Sequence, residues 1–92
     1  MRRVVPTPKF ARAYKRFVGK QPQTAAQIEQ VLRQIATDPF HGSLETHKLK
    51  GALTGVWSCS AGYDLRILFE FVENEPEDDV LLINIGTHDE VY

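Results

Sequence analysis

Residues 66–85 read RILFEFVENEPEDDVLLINI, and this stretch decides the fold. Residues 66–72 and residues 80–85 are rich in β-branched and aromatic side chains, which favour β-strands. Between them, residues 73–79 are acidic, contain Pro76 and have the composition of a turn. The stretch therefore predicts an antiparallel β-hairpin with a solvent-exposed loop.

The register of this hairpin decides which face of the sheet each side chain occupies. Next to the loop, Val72 is predicted to pair with Val80. Antiparallel counting then places Arg66 opposite Gly86. Because a one-residue slip moves every side chain to the other face, this register is the main assumption behind the predicted site.

Further polar groups are predicted to gather around Arg66. The same counting places Asp64 opposite His88, so we expect these three side chains to share one end and one face of the sheet. A guanidinium within an apolar strand is costly unless an anion accompanies it. That anion is either the carboxylate of Asp64 or Glu70, in a structural salt bridge, or a bound ligand.

The first half of the chain has the 3.6-residue periodicity of two helices. Thr7 before Pro8 is typical of a helix start, and Gly19 predicts the end of the first helix. The capping-box pattern Thr24-Ala25-Ala26-Gln27 predicts the start of the second helix, which Asp38-Pro39 ends. Helices joined by about five residues pack as a hairpin. The apolar stripes of the two helices are Phe10, Tyr14, Phe17, Ile28, Val31, Leu32 and Ile35.

A third strand is predicted at residues 56–60, and a short strand precedes the first helix. The predicted fold class is therefore α+β, with a short N-terminal strand and a two-helix hairpin packed on one face of an antiparallel β-sheet. The 92 residues are predicted to form a single domain, residues 1–92, with one modest hydrophobic core.

Composition narrows the class of protein. The single cysteine, Cys59, cannot form an internal disulfide, which indicates a reducing cytoplasm. The longest unbroken apolar run is residues 80–83, far short of the roughly 20 residues that span a bilayer, so a membrane protein is not expected. The net charge of -1 hides a balance of +7 in residues 1–50 and -8 in residues 51–92. This asymmetry predicts either a positive face toward a polyanion or two solvated faces.

Common catalytic and cofactor motifs are missing from the sequence. It has no phosphate-binding loop, no dinucleotide fingerprint and no Gly-x-Ser-x-Gly. One cysteine and three scattered histidines do not form a zinc pattern, so neither a metal nor a cofactor is expected.

Residues 47–50 combine a histidine with two lysines. Leu49 is predicted to point inward while Lys48 and Lys50 point outward together. These lysines are either phosphate contacts or charges that protect an edge strand from aggregation.

The segment after the last predicted strand contains His88 and Tyr92. One alternative is that they belong to a reactive site with Arg66. The other is that His88 is a surface histidine paired with Asp89, and Tyr92 packs over the core.

One set of short segments carries a family resemblance over nearly the whole chain. The segments are Leu49-Lys50-Gly51, Leu53, Gly55, Trp57-Ser58, Asp64, Arg66-Ile67, Phe69-Glu70 and Ile85-Gly86-Thr87-His88-Asp89-Glu90-Val91-Tyr92. Together they resemble the RelE/ParE superfamily of toxins, particularly its YafQ-like branch. The resemblance implies the toxin of a type II toxin-antitoxin pair, which cuts mRNA in the ribosomal A site. It also implies a protein antitoxin encoded beside it and a heterotetramer of the two.

The resemblance implies roles for individual residues. The catalytic positions are His47, Asp64, Arg66, His88 and Tyr92, and Lys48 and Lys50 position the RNA backbone. Arg66 holds the scissile phosphate, and the two histidines exchange protons with the 2′-hydroxyl and the leaving oxygen. Asp64 orients a histidine or Arg66, while Tyr92 stacks on a base or donates a hydrogen bond to the phosphate.

The sequence departs from the YafQ-like pattern at one position. A catalytic histidine of that pattern would fall four residues before Asp64, where the chain has Ser60. Metal-free RNA cleavage needs a base, an acid and a group that stabilises the phosphorane charge, and two histidines and an arginine meet these needs. The alternatives are a ParE-like inhibitor of DNA gyrase without nuclease activity, and a catalytically degenerate module that only binds its antitoxin.

Overall fold

The hairpin predicted from the sequence forms the centre of a five-stranded sheet. The computed structural model describes residues 1–92, and the central strands are β4, Leu65–Val72, and β5, Asp79–Thr87, paired antiparallel. The other strands are β1, Val4–Pro6; β2, His47–Lys48; and β3, Trp57–Ser60. The strand order is β1-β5-β4-β3-β2. Because β1 runs parallel to β5, the sheet is mixed rather than purely antiparallel.

The register of β4 and β5 confirms one predicted pair and corrects another. Arg66 lies opposite Gly86, as predicted, whereas Val72 lies opposite Asp79, one residue from its predicted partner. The extra residue of a β-bulge, Ile83, accounts for this shift, because the register changes by one on either side of it.

The first helix, α1, spans Pro8–Lys20 and begins as predicted. The Thr7 hydroxyl accepts a hydrogen bond from the Phe10 amide at 3.1 Å, so Thr7 is the N-cap. The helix ends at Lys20, one residue beyond the predicted stop at Gly19. Gly19 does not adopt the positive φ of a helix-ending glycine, and the Gln21 amide still donates to the Phe17 carbonyl at 2.9 Å.

The second helix, α2, spans Ala25–Thr37, between the predicted start and stop signals, but it has no capping box. The Thr24 hydroxyl instead donates to the Gln21 carbonyl at 2.7 Å. The Gln27 side chain donates to the Ala61 carbonyl at 2.6 Å and ties α2 to the turn before β4. A short 3₁₀ turn joins the two helices as the predicted hairpin. None of the helices is long and apolar enough to cross a membrane.

The two helices cover one face of the sheet, which we call the helical face, and leave an open face. The core on the helical face consists of Phe10, Ala13, Ile28, Ile35, Leu44, Cys59, Ala61, Leu65, Ile67, Phe69, Val80, Leu82 and Ile85. Burial raises the pKa of the Cys59 thiol to about 12, so this free cysteine is a neutral core residue. A smaller cluster on the open face consists of Val56, Leu68 and Val91, with Leu49, Leu53 and Ile83 packed against it. Val91 belongs to a short helix, α3, His88–Val91, which follows β5.

The acidic loop between β4 and β5 is tied to the first residues of the chain. Arg3 donates to the Asp79 carboxylate at 2.8 Å, and the Met1 amino group lies 3.0 Å from the Glu77 carboxylate. Hydrogen bonds from Asn74 and Arg3 lower the pKa of the Asp79 carboxyl. These contacts hold β1 against β5.

Candidate active site

A polar cavity of about 120 Å³ lies at the open face, beside β2, β3 and β4. No apolar residue lines it; its walls are Glu45, His47, Ser60 and Arg66. Ser60 lies opposite Arg66, and His47 lies opposite Ser58, two residues before Ser60. Directly paired residues leave a sheet on the same side, so His47, Ser60 and Arg66 share the open face.

The guanidinium of Arg66 is free to bind an anion. Its Nη1 donates to the Leu65 carbonyl at 3.1 Å, and none of the ion pairs in the structure includes Arg66. The alternative of a structural salt bridge with Asp64 or Glu70 is therefore wrong. A half-buried guanidinium with donors to spare suits the geometry of a phosphate group.

The imidazole of His47 is oriented by the backbone. Its Nδ1 lies 3.0 Å from the Glu45 carbonyl oxygen. Because a carbonyl can only accept, Nδ1 carries the hydrogen, and in the neutral imidazole Nε2 keeps a free lone pair. Glu45 itself has a φ of 51°, a left-handed conformation that is uncommon outside glycine. The loop before β2 thus has a costly backbone conformation next to the cavity.

The short helix α3 places His88 and Tyr92 beside the open face. The Thr87 amide donates to the Glu90 carboxylate at 2.7 Å across the first turn, and hydrogen bonds from Thr87 lower the pKa of the Glu90 carboxyl. The rings of His88 and Tyr92 meet edge to face with centroids 4.6 Å apart. Nδ1 of His88 also lies 3.5 Å from the Asp89 carboxylate, so the pair offered by the second alternative is present. The Tyr92 hydroxyl hydrogen-bonds to the buried hydroxyl of Ser58, which anchors the end of α3 to β3.

Gly86 allows α3 to lie directly on the sheet. A Cβ atom at this position would lie 3.0 Å from Oε1 of Glu90 and 3.3 Å from Cγ1 of Val91. Both distances are shorter than ordinary van der Waals contact, so a side chain here would require Glu90 and Val91 to shift by a few tenths of an ångström. Because Gly86 is the ladder partner of Arg66, α3 packs over the strand position next to the free guanidinium.

Together these side chains can bind a phosphate and transfer protons on one face of the sheet. Nowhere in the structure do three His, Cys, Asp or Glu side chains come together as a metal site. A family model of the YafQ toxin, a bacterial toxin of type II toxin-antitoxin systems, matches residues 2–92. The chain belongs to this family. A search of the curated proteins gives no match.

Solved toxin structures share the fold of this YafQ-family chain over its full length. YafQ from E. coli strain BL21(DE3) has a TM-score of 0.81 at 12% identity, with 100% of this chain and 99% of that chain covered. A metal-bound toxin from Helicobacter pylori has a TM-score of 0.79 at 25% identity, with 100% of both chains covered. The E. coli DinJ-YafQ toxin-antitoxin complex gives a TM-score of 0.79 at 14% identity, with 99% and 97% covered. These matches confirm the predicted α+β fold.

In this YafQ-family chain Asp64 lies apart from the open-face group. The ladder of β4 and β5 ends at Leu65 and Thr87, so the predicted pair of Asp64 with His88 does not form. Asp64 precedes β4 in a turn and lines a different depression, which faces the ends of α1 and α2. It makes no ion pair, and the structure does not bring it together with Arg66 and His88.

Lys48, on the edge strand β2, points away from the open face, and Lys50 lies just beyond this strand. Lys48 and Lys50 are exposed, and Leu49 packs inward, as predicted. Lys48 lies opposite Trp57, with its ammonium 5.4 Å from the centre of the indole ring. Since Trp57 packs against the core of the helical face, Lys48 leaves the sheet on the side opposite His47.

Two residues of the site were not predicted from the sequence. Ser58 lies between Trp57 and Cys59, which both face the core, so strand alternation was a usable signal that its hydroxyl faces the open side. Glu45 gives no such signal, because a left-handed residue in a loop brings it to the cavity.

Proposed function

We propose that this chain is an endoribonuclease that cuts mRNA on the ribosome without a metal ion and thereby inhibits translation in the cytoplasm. The observation that carries the proposal is the unpaired guanidinium of Arg66, which shares one small polar cavity with the imidazole of His47. A phosphodiester is the ligand that such a guanidinium binds well, and RNA supplies a 2′-hydroxyl for the imidazole to activate. Membership in a toxin family supports the same reading.

His47 is the general base in this proposal, and His88 is the general acid. The free Nε2 of His47 takes the proton of the 2′-hydroxyl, and the 2′-oxygen forms a bond to phosphorus. The bond from phosphorus to the 5′-oxygen breaks, and the imidazolium of His88 gives that oxygen its proton. The products are a 2′,3′-cyclic phosphate and a 5′-hydroxyl. Arg66 stabilises the negative charge of the phosphorane, which is the largest electrostatic requirement of the reaction.

The remaining predicted residues support these three. Tyr92 holds the His88 ring from the side and is itself held by Ser58. Lys48, on the edge strand β2, and Lys50, just beyond it, contact the RNA backbone outside the cavity. Asp64 is given no proton transfer, because it lies in another depression.

The test is cleavage of a translated and an untranslated message by purified protein, with the RNA ends mapped, together with growth after induced expression. EDTA is added only to the untranslated message, because ribosomes need Mg²⁺. His47→Ala, His88→Ala and Arg66→Ala should each reduce cleavage by roughly 10²-fold or more. His41→Ala is the matched control, because the side chain of this exposed histidine hydrogen-bonds only to its neighbour Ser43 in a loop.

The outcomes separate the proposed function from its alternatives. Cleavage by wild type within the translated message, ending in a cyclic phosphate, supports it. Growth arrest with intact RNA contradicts it and indicates a target such as gyrase. A wild-type chain that binds its antitoxin but neither cuts RNA nor arrests growth indicates a degenerate module.

We also propose a protein antitoxin as the partner of this chain, in a heterotetramer. The complex of the similar E. coli YafQ with DinJ supports it. A groove of about 450 Å³ between β1, α1 and α2 is mostly apolar and has Arg2 and Arg33 in its lining, which suits an amphipathic, acidic segment. Ala11→Glu inside the groove should weaken the complex at least tenfold, whereas Gln30→Glu on α2, outside the groove, should not. Co-purification with the product of the neighbouring gene, and the mass of the complex, provide the measurement.

A further inference from the structure

Helix α1 carries a line of four cations, Lys9, Arg12, Arg16 and Lys20, which we call the α1 stripe. They follow one another at intervals of three or four residues and so lie on one side of the helix. At 1.5 Å per residue the stripe is about 16 Å long. All four side chains are exposed, and none takes part in an ion pair.

The α1 stripe forms one wall of a polar depression of about 380 Å³, and β5 and α3 form the other. Glu90 is the one carboxylate in its lining. The charges of Arg16 and Lys20 add to the hydrogen bonds from Thr87 in lowering the Glu90 pKa. Helix α3 separates this depression from the open face, because Glu90 lines the depression while Val91 packs on the open face. The stripe therefore begins on the far side of the same short helix that carries His88.

We propose that the α1 stripe binds the phosphates of the RNA strand that flanks the cleavage site. The inference rests on the proposed function and extends it, since an RNA strand held at Arg66 continues past α3 onto α1. Regularly spaced, unpaired cations on a rigid helix suit a polyanionic backbone, because each phosphate contact releases condensed counterions.

A protein ligand is less well matched to this surface. Protein interfaces depend on apolar anchors in buried pockets. The exposed residues of the stripe are all cationic, while the apolar groove with Phe10, Ala11 and Tyr14 lies on another side of α1. The two faces of α1 thus suit two ligands, a peptide in the groove and RNA on the stripe.

The first experiment measures binding of a fluorescent, single-stranded 2′-O-methyl RNA of 12 nucleotides over a series of salt concentrations. The methyl groups block the 2′-oxygens, so this probe cannot be cut. Arg16→Gln should reduce the slope of log affinity against log salt by about 0.7, which is about a fivefold loss at 0.1 M salt. The double variant Arg12→Gln/Arg16→Gln should reduce the slope by about 1.4 and affinity by about 25-fold. Lys15→Gln is the matched control, because this neighbouring cation lies outside the stripe.

The second experiment measures cleavage of a trinucleotide and of a 20-nucleotide RNA, each alone and with ribosomes. The double variant should lose kcat/KM on the long substrate only, because the trinucleotide does not reach the stripe. Equal effects of Arg16→Gln and Lys15→Gln on binding, or equal losses on both substrates, would overturn the inference. If the double variant lost the antitoxin complex but bound RNA as well as wild type does, the inference would also be overturned, and the stripe would be a site for a protein ligand. A wild type that binds the probe through the stripe but cuts neither these RNAs nor a message on the ribosome supports the stripe and contradicts the proposed function.

Discussion

Cations are paired with carboxylates in one region of this molecule and unpaired in another. Around the acidic loop, cations and carboxylates are paired, as in Arg3 with Asp79 and Met1 with Glu77. On the α1 stripe and at Arg66, cations have no carboxylate partner. The balances of +7 and -8 in the two halves of the chain therefore do not cancel in space. Paired charges hold β1 on β5, whereas the free ones remain available to a polyanion, even though the net charge is only -1.

The largest effect is expected where a free cation meets the reacting phosphate. Arg66→Ala should reduce cleavage by roughly 10²- to 10³-fold, because it removes stabilisation of the phosphorane. The thermal midpoint should change little, because the guanidinium has no ion pair to lose. Arg3→Ala should lower the thermal midpoint and leave the rate of cleavage unchanged. Cleavage rates and thermal melts of both variants test the contrast, and an Arg66→Ala chain that unfolds would break it.

The next largest effect is expected from a substitution at Gly86, where α3 lies between the α1 stripe and the open face. Gly86→Ala should destabilise the fold by about 1–3 kcal/mol, because Glu90 and Val91 must shift by a few tenths of an ångström to admit the new methyl group. Cleavage should fall with it, since His88 moves with α3. Gly19→Ala is the control, because no atom lies within 4 Å of a Cβ there. Urea unfolding measures the change, and a neutral Gly86→Ala would show that α3 shifts freely.

Acid should weaken the paired region. The pKa of Asp79 lies below its ordinary value of 3.8, so its contribution to stability is complete above that value and is lost as pH falls through the lowered pKa. Wild type should therefore lose stability more steeply below about pH 4 than Asp79→Asn does. Urea unfolding from pH 6 to pH 3 provides the comparison. Parallel curves for the two proteins would mean that the pair contributes nothing to folding.

The smallest effect is expected from the one carboxylate beside the free cations. Glu90→Gln keeps an oxygen that can accept from the Thr87 amide but removes the charge that faces Arg16 and Lys20. Affinity for the 12-nucleotide probe should rise about two- to fivefold at low salt, and this gain should disappear at high salt. An unchanged affinity would separate Glu90 from the RNA path.

The helix starts and the central hairpin were predictable because they depend on local chemistry. Thr7 caps α1 as its sequence indicates, and strand residues on both sides of an acidic turn form β4 and β5. The bulge at Ile83 was not predictable, because residues 80–83 of β5 are all apolar. Without alternation of apolar and polar residues, the sequence does not show which side chains face the core. The predicted capping box failed for another reason, since Gln27 makes a tertiary hydrogen bond to Ala61 instead.

Residue pairs in the candidate site were predictable only within the paired part of β4 and β5. Arg66 and Gly86 pair as counted, but counting beyond Thr87 fails because the chain there turns into α3. Asp64 is lost from the group for this reason. Glu45 could not be found from the sequence, because its place in the cavity depends on one left-handed backbone conformation.

The parallel pairing of β1 with β5 sets the stage of synthesis at which the sheet can be completed. Val4 pairs with Val80, so β1 cannot join the sheet until β5 has been synthesised. At 5–20 residues per second this interval is roughly 4 to 15 s. Until then the sheet lacks both its edge strand and the strand that carries Gly86 and leads into α3. The open face therefore gains α3 and His88 only after the rest of the sheet has been synthesised.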